Sequence, residues 1–245
     1  MTGYTFSTLL NEDDKQRIND IYSFWFGTTD EDLLRVANYN LNFKLWFVTS
    51  EAGDLDIKNR FQATLEEAGQ PDSPLLARWR SDHRGKMALI LLCDQFSRNM
   101  FRGTGQMFQY DPISCGIVLD MLSENSDKSY SFPERMFFYV VLEHSEQLDI
   151  VERSVEKTKE LAEDAKEVSP IYGGVVKYAQ DHYAIVKQFN RYPHRNALLG
   201  RESTAEETEY LSNSTNEFEK SVQKKVTTTT TITTSSTTTT TEPSS

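Results

Sequence analysis

The run MALILLC, Met87 to Cys93, places an apolar side chain on every face of a helix. Such a helix must be buried on most sides, yet the run is far shorter than the roughly 20 residues needed to span a bilayer. A chain built around it needs several further elements, each with an apolar stripe turned toward this centre. The sequence supplies them with helical rather than strand periodicity. In DDKQRINDIYSFWFG, residues Ile18, Ile21, Tyr22 and Trp25 form one stripe and Gly27 ends it. In DLDIKNRFQATLEEAGQP, Asp54 or Asp56 is the expected cap, Ile57, Phe61 and Leu65 form the stripe, and Gly69 to Pro71 close it. Ser131 and Pro133 open another helix. A long charged one follows, with Ile150, Val151, Val155 and Leu161 on its apolar side. Glycines and prolines fall at the joints.

The reading is therefore all-α: a single domain over residues 15–220, with about nine or ten helices joined by short connections. Residues 1–14 are expected to be a flexible N-terminus. After Val226 nearly every residue up to Thr241 is threonine. That tract has too little apolar surface to offset its chain entropy, so residues 221–245 read as a disordered Thr/Ser-rich tail.

A formal net charge of −11 repels phosphate backbones, so nucleic acid is not an expected partner. Cys93 and Cys115 lack CxxC spacing and lie in apolar stretches, as reduced core thiols do. No basic segment followed by a long apolar core marks an export signal. The expectation is a soluble cytoplasmic protein without membrane partners.

Three polar clusters interrupt this pattern. In LCDQFSRNMFRGT, Asp94, Arg98 and Arg102 recur every four residues, with Gln95 and Asn99 on the adjacent face. Following so apolar a helix, they must be paired or meet a ligand. In VVLEHSEQL, Glu143 and Glu146 share a face and His144 points about 100° away. This matches neither ExxH nor HExxH, so no metal is assigned and the cofactor stays unknown. In the third cluster, Val175, Tyr178, His182, Ile185 and Phe189 form a helical stripe that makes His182 read as a core residue. Pro193 then forces a turn that carries His194, Arg195 and Asn196. Arg191 and Arg201 flank this turn. Ser203 or Thr204 caps a last helix with Glu206 or Glu207.

In order along the chain stand DQFSRNMFRGT (Asp94–Thr104), ERMFFYVVLEHSEQ (Glu134–Gln147) and FNRYPHRNALLGREST (Phe189–Thr204). They resemble the DQFPRNxFRG, ER…FFY…EHSE and FGRFPHRNxxLGRxST elements of the domain of unknown function 924 family. FWFG (Phe24–Gly27) and the stretch Trp46–Phe61 also fit, so the resemblance covers residues 20 to 212. Ser97 stands where proline is usual, Asn190 for glycine, Tyr192 for phenylalanine and Ala205 for proline. The resemblance implies an all-helical, tetratricopeptide-like array of antiparallel helix pairs. It implies no reaction.

The clusters admit three functions. In the first, a pocket with Asp94, Gln95, Arg98, Asn99, Arg102, Arg191, His194, Arg195, Asn196 and Arg201 grips a small anionic ligand or a partner's acidic segment. In the second, Glu143 or Glu146 is the general base of an enzyme such as a hydrolase. His144, His182 or His194 would shuttle protons, and Arg98 or Arg195 would stabilise developing negative charge. In the third, the charges pair internally and the module is structural. Convergence of the histidines and Glu143 on a cleft would favour chemistry, and a cleft lined by arginines alone would favour binding.

Overall fold

The computed structural model describes residues 4–36, 42, 45, 46 and 50–214, and no strand occurs among them. The expected tail, residues 221–245, lies outside the described residues.

At the centre runs one continuous helix, α5. It begins as His83–Ile90, passes through a π-helical turn at Leu91–Phe96 and closes as Ser97–Met100. Every residue from Met87 to Cys93 is fully buried, as an all-round apolar helix requires. Around α5 pack α1 (Glu12–Phe26), α3 (Glu51–Ala68), α4 (Pro74–Arg80), α6 (Asp111–Ser123) and α7 (Phe132–Glu143). A short α2 (Glu31–Val36) lies against α7. The FWF segment of α1 is the aromatic hub of this core. Trp25 meets Phe96 and Phe137 with ring centroids 5.3 Å away in each case, and Trp46 meets Phe137 at 5.1 Å. Burying such side chains contributes about 1.5–3 kcal/mol each, with a further increment for edge-to-face contact.

Beyond α7, α8 (Leu148–Ala165) and α9 (Tyr172–Phe189) form a helical hairpin that packs back on α7. The core side of α8 includes Ser154 and Thr158 rather than Val155. Their hydroxyls donate to the carbonyls of Val151 and Ser154, at 2.6 and 2.9 Å, so small polar groups enter the core already satisfied. The last helix, α10 (Ala205–Asn213), begins at a capping box of Thr204 and Glu207.

Three local expectations change. The cap of α3 is Ser50, a turn before Asp54, because its hydroxyl accepts the Gly53 N–H at 3.2 Å. The segment expected to be flexible is docked from Tyr4 onward, and its residues Glu12 to Asp14 already belong to α1. Asp82, which caps α5 through the Gly85 N–H at 2.9 Å, also accepts from the Tyr4 hydroxyl at 3.1 Å and the Ser7 N–H at 2.8 Å. The Arg84 guanidinium covers the Tyr4 ring at 4.2 Å. This junction needs Gly85, since a Cβ there would fall 2.3 Å from the Trp79 carbonyl oxygen. Third, the buried side of α9 runs through Tyr172, Val175, Ala179 and Val186, so Tyr178 and His182 of the expected stripe are turned away from the core and Ile185 is only partly buried, against Val151, Val186 and Tyr192.

Candidate active site

The π-helical turn of α5 sets up the site. The Ser97 N–H reaches the Leu92 carbonyl, five residues back, and the Ser97 hydroxyl donates to the Cys93 carbonyl at 2.7 Å. Such turns inserted in α-helices are frequent at functional sites. Here the turn carries Asp94 at complete burial. The Asp94 carboxylate accepts from His144 Nδ1 at 2.8 and 3.0 Å and from Gln95 Nε2 at 2.6 Å, and forms an ion pair with Arg98 Nη1 at 2.9 Å, which donates to the Asp94 carbonyl at 2.8 Å. Burial opposes its ionisation, but Arg98, His144 and Gln95 outweigh that penalty and hold the carboxyl down at about 2. Burial, aided by the Arg98 charge, pushes His144 down to about 4. Near neutral pH the pair is therefore a carboxylate and a neutral imidazole. The Nδ1–H donates to Asp94 and Nε2 keeps the lone pair.

Next to His144, at the end of α7, Glu143 is 3% exposed. Its Oε1 has no hydrogen-bond partner, and Oε2 lies 3.6 Å from Nδ1 of His182 on α9. Burial first, and the Asp94 charge second, push Glu143 up to about 8. His182 donates from Nδ1 to the Tyr178 carbonyl at 2.8 Å. Burial lowers its pKa against that bond, and Arg195 and His194 add to the lowering.

These groups surround a cleft of about 350 Å³ lined by Arg98, His144, His182, His194, Arg195 and Tyr192, with Phe108, Tyr178, Asp181 and Ile185 completing the wall. The two cations differ. Arg98 is closely paired: besides Asp94, it holds both oxygens of Asp111 at 2.8 and 2.9 Å. Arg195 is 6% exposed and lies over the rings of Phe108 and Tyr192, at 4.6 and 4.4 Å. Its ion pair is a loose one, Nη1 to Asp111 at 4.0 Å, and its Nε is buried without a hydrogen-bond partner. Burial and the neighbouring Arg98 charge push it down to about 10.

A family model described as bacterial protein of unknown function (DUF924) matches residues 21–215. The chain belongs to the DUF924 family. It is also similar to a solved structure, a protein of unknown function from Agrobacterium tumefaciens, at 29% identity and a TM-score of 0.64. That match covers 82% of this chain and 100% of the other. No curated protein matches the chain.

In this DUF924 chain the three motif segments meet at one cleft, but not every charged member reaches it. Asn99 and Arg102 tie α5 to α3: Arg102 grips Asp54 at 2.6 and 2.9 Å and Asn99 at 2.7 Å. Arg191 holds Glu207 at 2.6 and 2.7 Å, and Asn196 donates to Ser203 and Glu207 at 3.0 and 3.2 Å. Arg201 takes both oxygens of Glu146 at 2.7 and 2.9 Å, and Glu146 also accepts the Tyr192 N–H at 2.8 Å. These six residues, expected to bind ligand or catalyse, form ionic and amide ties outside the lining because each found a partner across a helix junction. Asp94, Gln95 and Glu143 stand behind the wall as supports.

Sequence reasoning missed Phe108, Asp111, Tyr178, Asp181, Ile185 and Tyr192. Tyr178 and Ile185 share the His182 stripe, and a polar residue amid apolar ones at helical spacing was the available signal. The family departures fit their places. Ser97 donates the N–H and hydroxyl described above, and the Tyr192 hydroxyl donates to the Glu143 carbonyl. Asn190 adopts the left-handed conformation, φ 56°, at the end of α9. Ala205 starts α10, where proline is also well suited. Cys93 is buried, and burial raises both thiols, Cys115 to about 11, so neither is a thiolate nucleophile near neutral pH. Among the described residues no helix is long and apolar enough to cross a membrane.

Proposed function

We propose that the cleft binds a small anion on Arg195. The observation that carries this reading is a buried guanidinium, lining a cavity, whose nearest carboxylate is already gripped on both oxygens by another arginine. A buried charge with such incomplete compensation is costly, and an incoming anion offsets that cost with charge-assisted hydrogen bonds. The cavity volume suits a small molecule better than an acidic peptide segment. The test is a thermal-shift titration of the full chain with phosphate, sulfate and short carboxylates. A saturable rise in Tm that disappears in Arg195→Met supports the reading, and no shift with any of them in the millimolar range rejects it.

Three histidines on the cleft wall, with Glu143 behind it 3.6 Å from Nδ1 of His182, favour a second reading, acid–base catalysis at the same cleft, with hydrolysis of a bound ester as its simplest form. Glu143 held up at about 8 exchanges protons near neutral pH, and His182 and His144 both present Nε2 as the basic nitrogen. Turnover of p-nitrophenyl esters that vanishes in both Glu143→Gln and His182→Ala supports it. Anion binding without turnover of any ester leaves binding alone.

A further inference from the structure

We infer that the ligand is a monocarboxylate with an apolar body, its head on Arg195 at the closed end of the cleft and its body lying along α9. This rests on the anion-binding reading and specifies the ligand class.

The cleft is polarised along its depth. Arg195 is 6% exposed and Tyr192 fully buried, whereas Tyr178 is 66% exposed and Asp181 is also exposed. Tyr178, Asp181, His182 and Ile185 follow each other at i, i+3, i+4 and i+7, so one face of α9 forms the outer wall. That face carries the largely exposed ring of Tyr178 and the half-buried Ile185, which packs on one side against Val151, Val186 and Tyr192. A bare hydrated anion on Arg195 would leave Tyr178 and the cleft-facing part of Ile185 in water, and an apolar tail covers them.

Charge selects a monoanion. Arg98 and Arg195 are balanced formally by Asp94 and Asp111, so a monoanion leaves one negative charge in excess and a dianion two, and the second costs more in a buried site. The flat Arg195 guanidinium, flanked by two aromatic rings, suits a flat carboxylate. At the rim, Asp181 repels a second carboxylate, although Lys177 draws part of its charge at 2.8 and 2.9 Å. Dicarboxylates are therefore selected against.

The experiment is calorimetric titration of the full chain at pH 7 with phenylacetate, acetate, phenylphosphate and succinate. Phenylacetate is expected to bind at least about tenfold more tightly than acetate, the effect of covering one modest apolar surface. It should also exceed phenylphosphate and succinate. Tyr178→Ala and Ile185→Ser, on the exposed and half-buried wall, should weaken phenylacetate and leave acetate unchanged. Asp181→Asn should improve succinate. If acetate or phenylphosphate binds as tightly as phenylacetate, or the wall variants leave phenylacetate unchanged, the ligand class is wrong while anion binding stands. If no probe binds, both readings fall.

Discussion

The Asp94 carboxylate and the His144 imidazole meet at 2.8 Å although 50 residues separate them in sequence. The contact joins a π-helical turn of the central helix to the end of α7, fixes the imidazole tautomer and supports one side of the cleft. Because Asp94 is fully buried and also compensates Arg98, its role is both structural and electrostatic.

Replacing it tests the first consequence. Asp94→Asn removes a buried charge from a hydrogen-bonded set and should destabilise the protein by about 3 kcal/mol in urea unfolding at pH 7. Its folded pKa lies below the unfolded one. The stability it supplies is thus complete above the ordinary carboxylate range and is lost as pH falls from there toward about 2. The variant should lack this acid limb, and an unchanged limb would assign acid unfolding to other carboxylates.

Glu143 and His144 should produce opposing pH slopes. Glu143 titrates at about 8 when folded, so it holds a proton the unfolded chain releases, and stability falls as pH rises from the ordinary carboxylate range toward about 8. His144 titrates at about 4 when folded, so the unfolded chain takes the proton first and stability rises with pH up to the ordinary imidazole value. Each slope is roughly 1.4 kcal/mol per pH unit. Between the two ordinary values they offset each other, and from roughly pH 6.5 to 8 the Glu143 slope acts alone. Glu143→Gln should remove that alkaline decline. Persistence of the decline in the variant would place its origin elsewhere.

Arg195 predicts a trade between stability and binding. Arg195→Met deletes a buried guanidinium whose ion pair is loose, at 4.0 Å, while Asp111 keeps both its hydrogen bonds to Arg98, so the ligand-free protein should gain about 1–3 kcal/mol. The same variant should lose all response to anions. A destabilised variant would mean that the stacking on Phe108 and Tyr192 outweighs the desolvation cost.

Asn190 ends α9 at φ 56° with its N–H on the Val186 carbonyl at 2.8 Å. Asn190→Ala should cost about 1 kcal/mol, because an ordinary side chain is strained in the left-handed region, whereas Asn190→Gly should not. Equal midpoints for the alanine and glycine variants would show that the turn before Pro193 relaxes freely.

Residue order alone determined the helical class, the central position of MALILLC, the glycine and proline joints, the Ser131 and Thr204 caps and the three polar clusters. These are local properties: periodicity, capping and breaking act within one or two turns. The tertiary structure decided which members of the clusters share a cavity. Arg102, Arg191 and Arg201 look no different in sequence from Arg98 and Arg195, but each of the three lies opposite a carboxylate across a helix junction. The side of α9 that entered the core was also settled there, because α9 packs on α8 with Val175, Ala179 and Val186 buried and leaves Tyr178 largely exposed. Pairing and burial depend on where distant segments meet, and that is set by how the helices pack around α5, not by any stripe on its own.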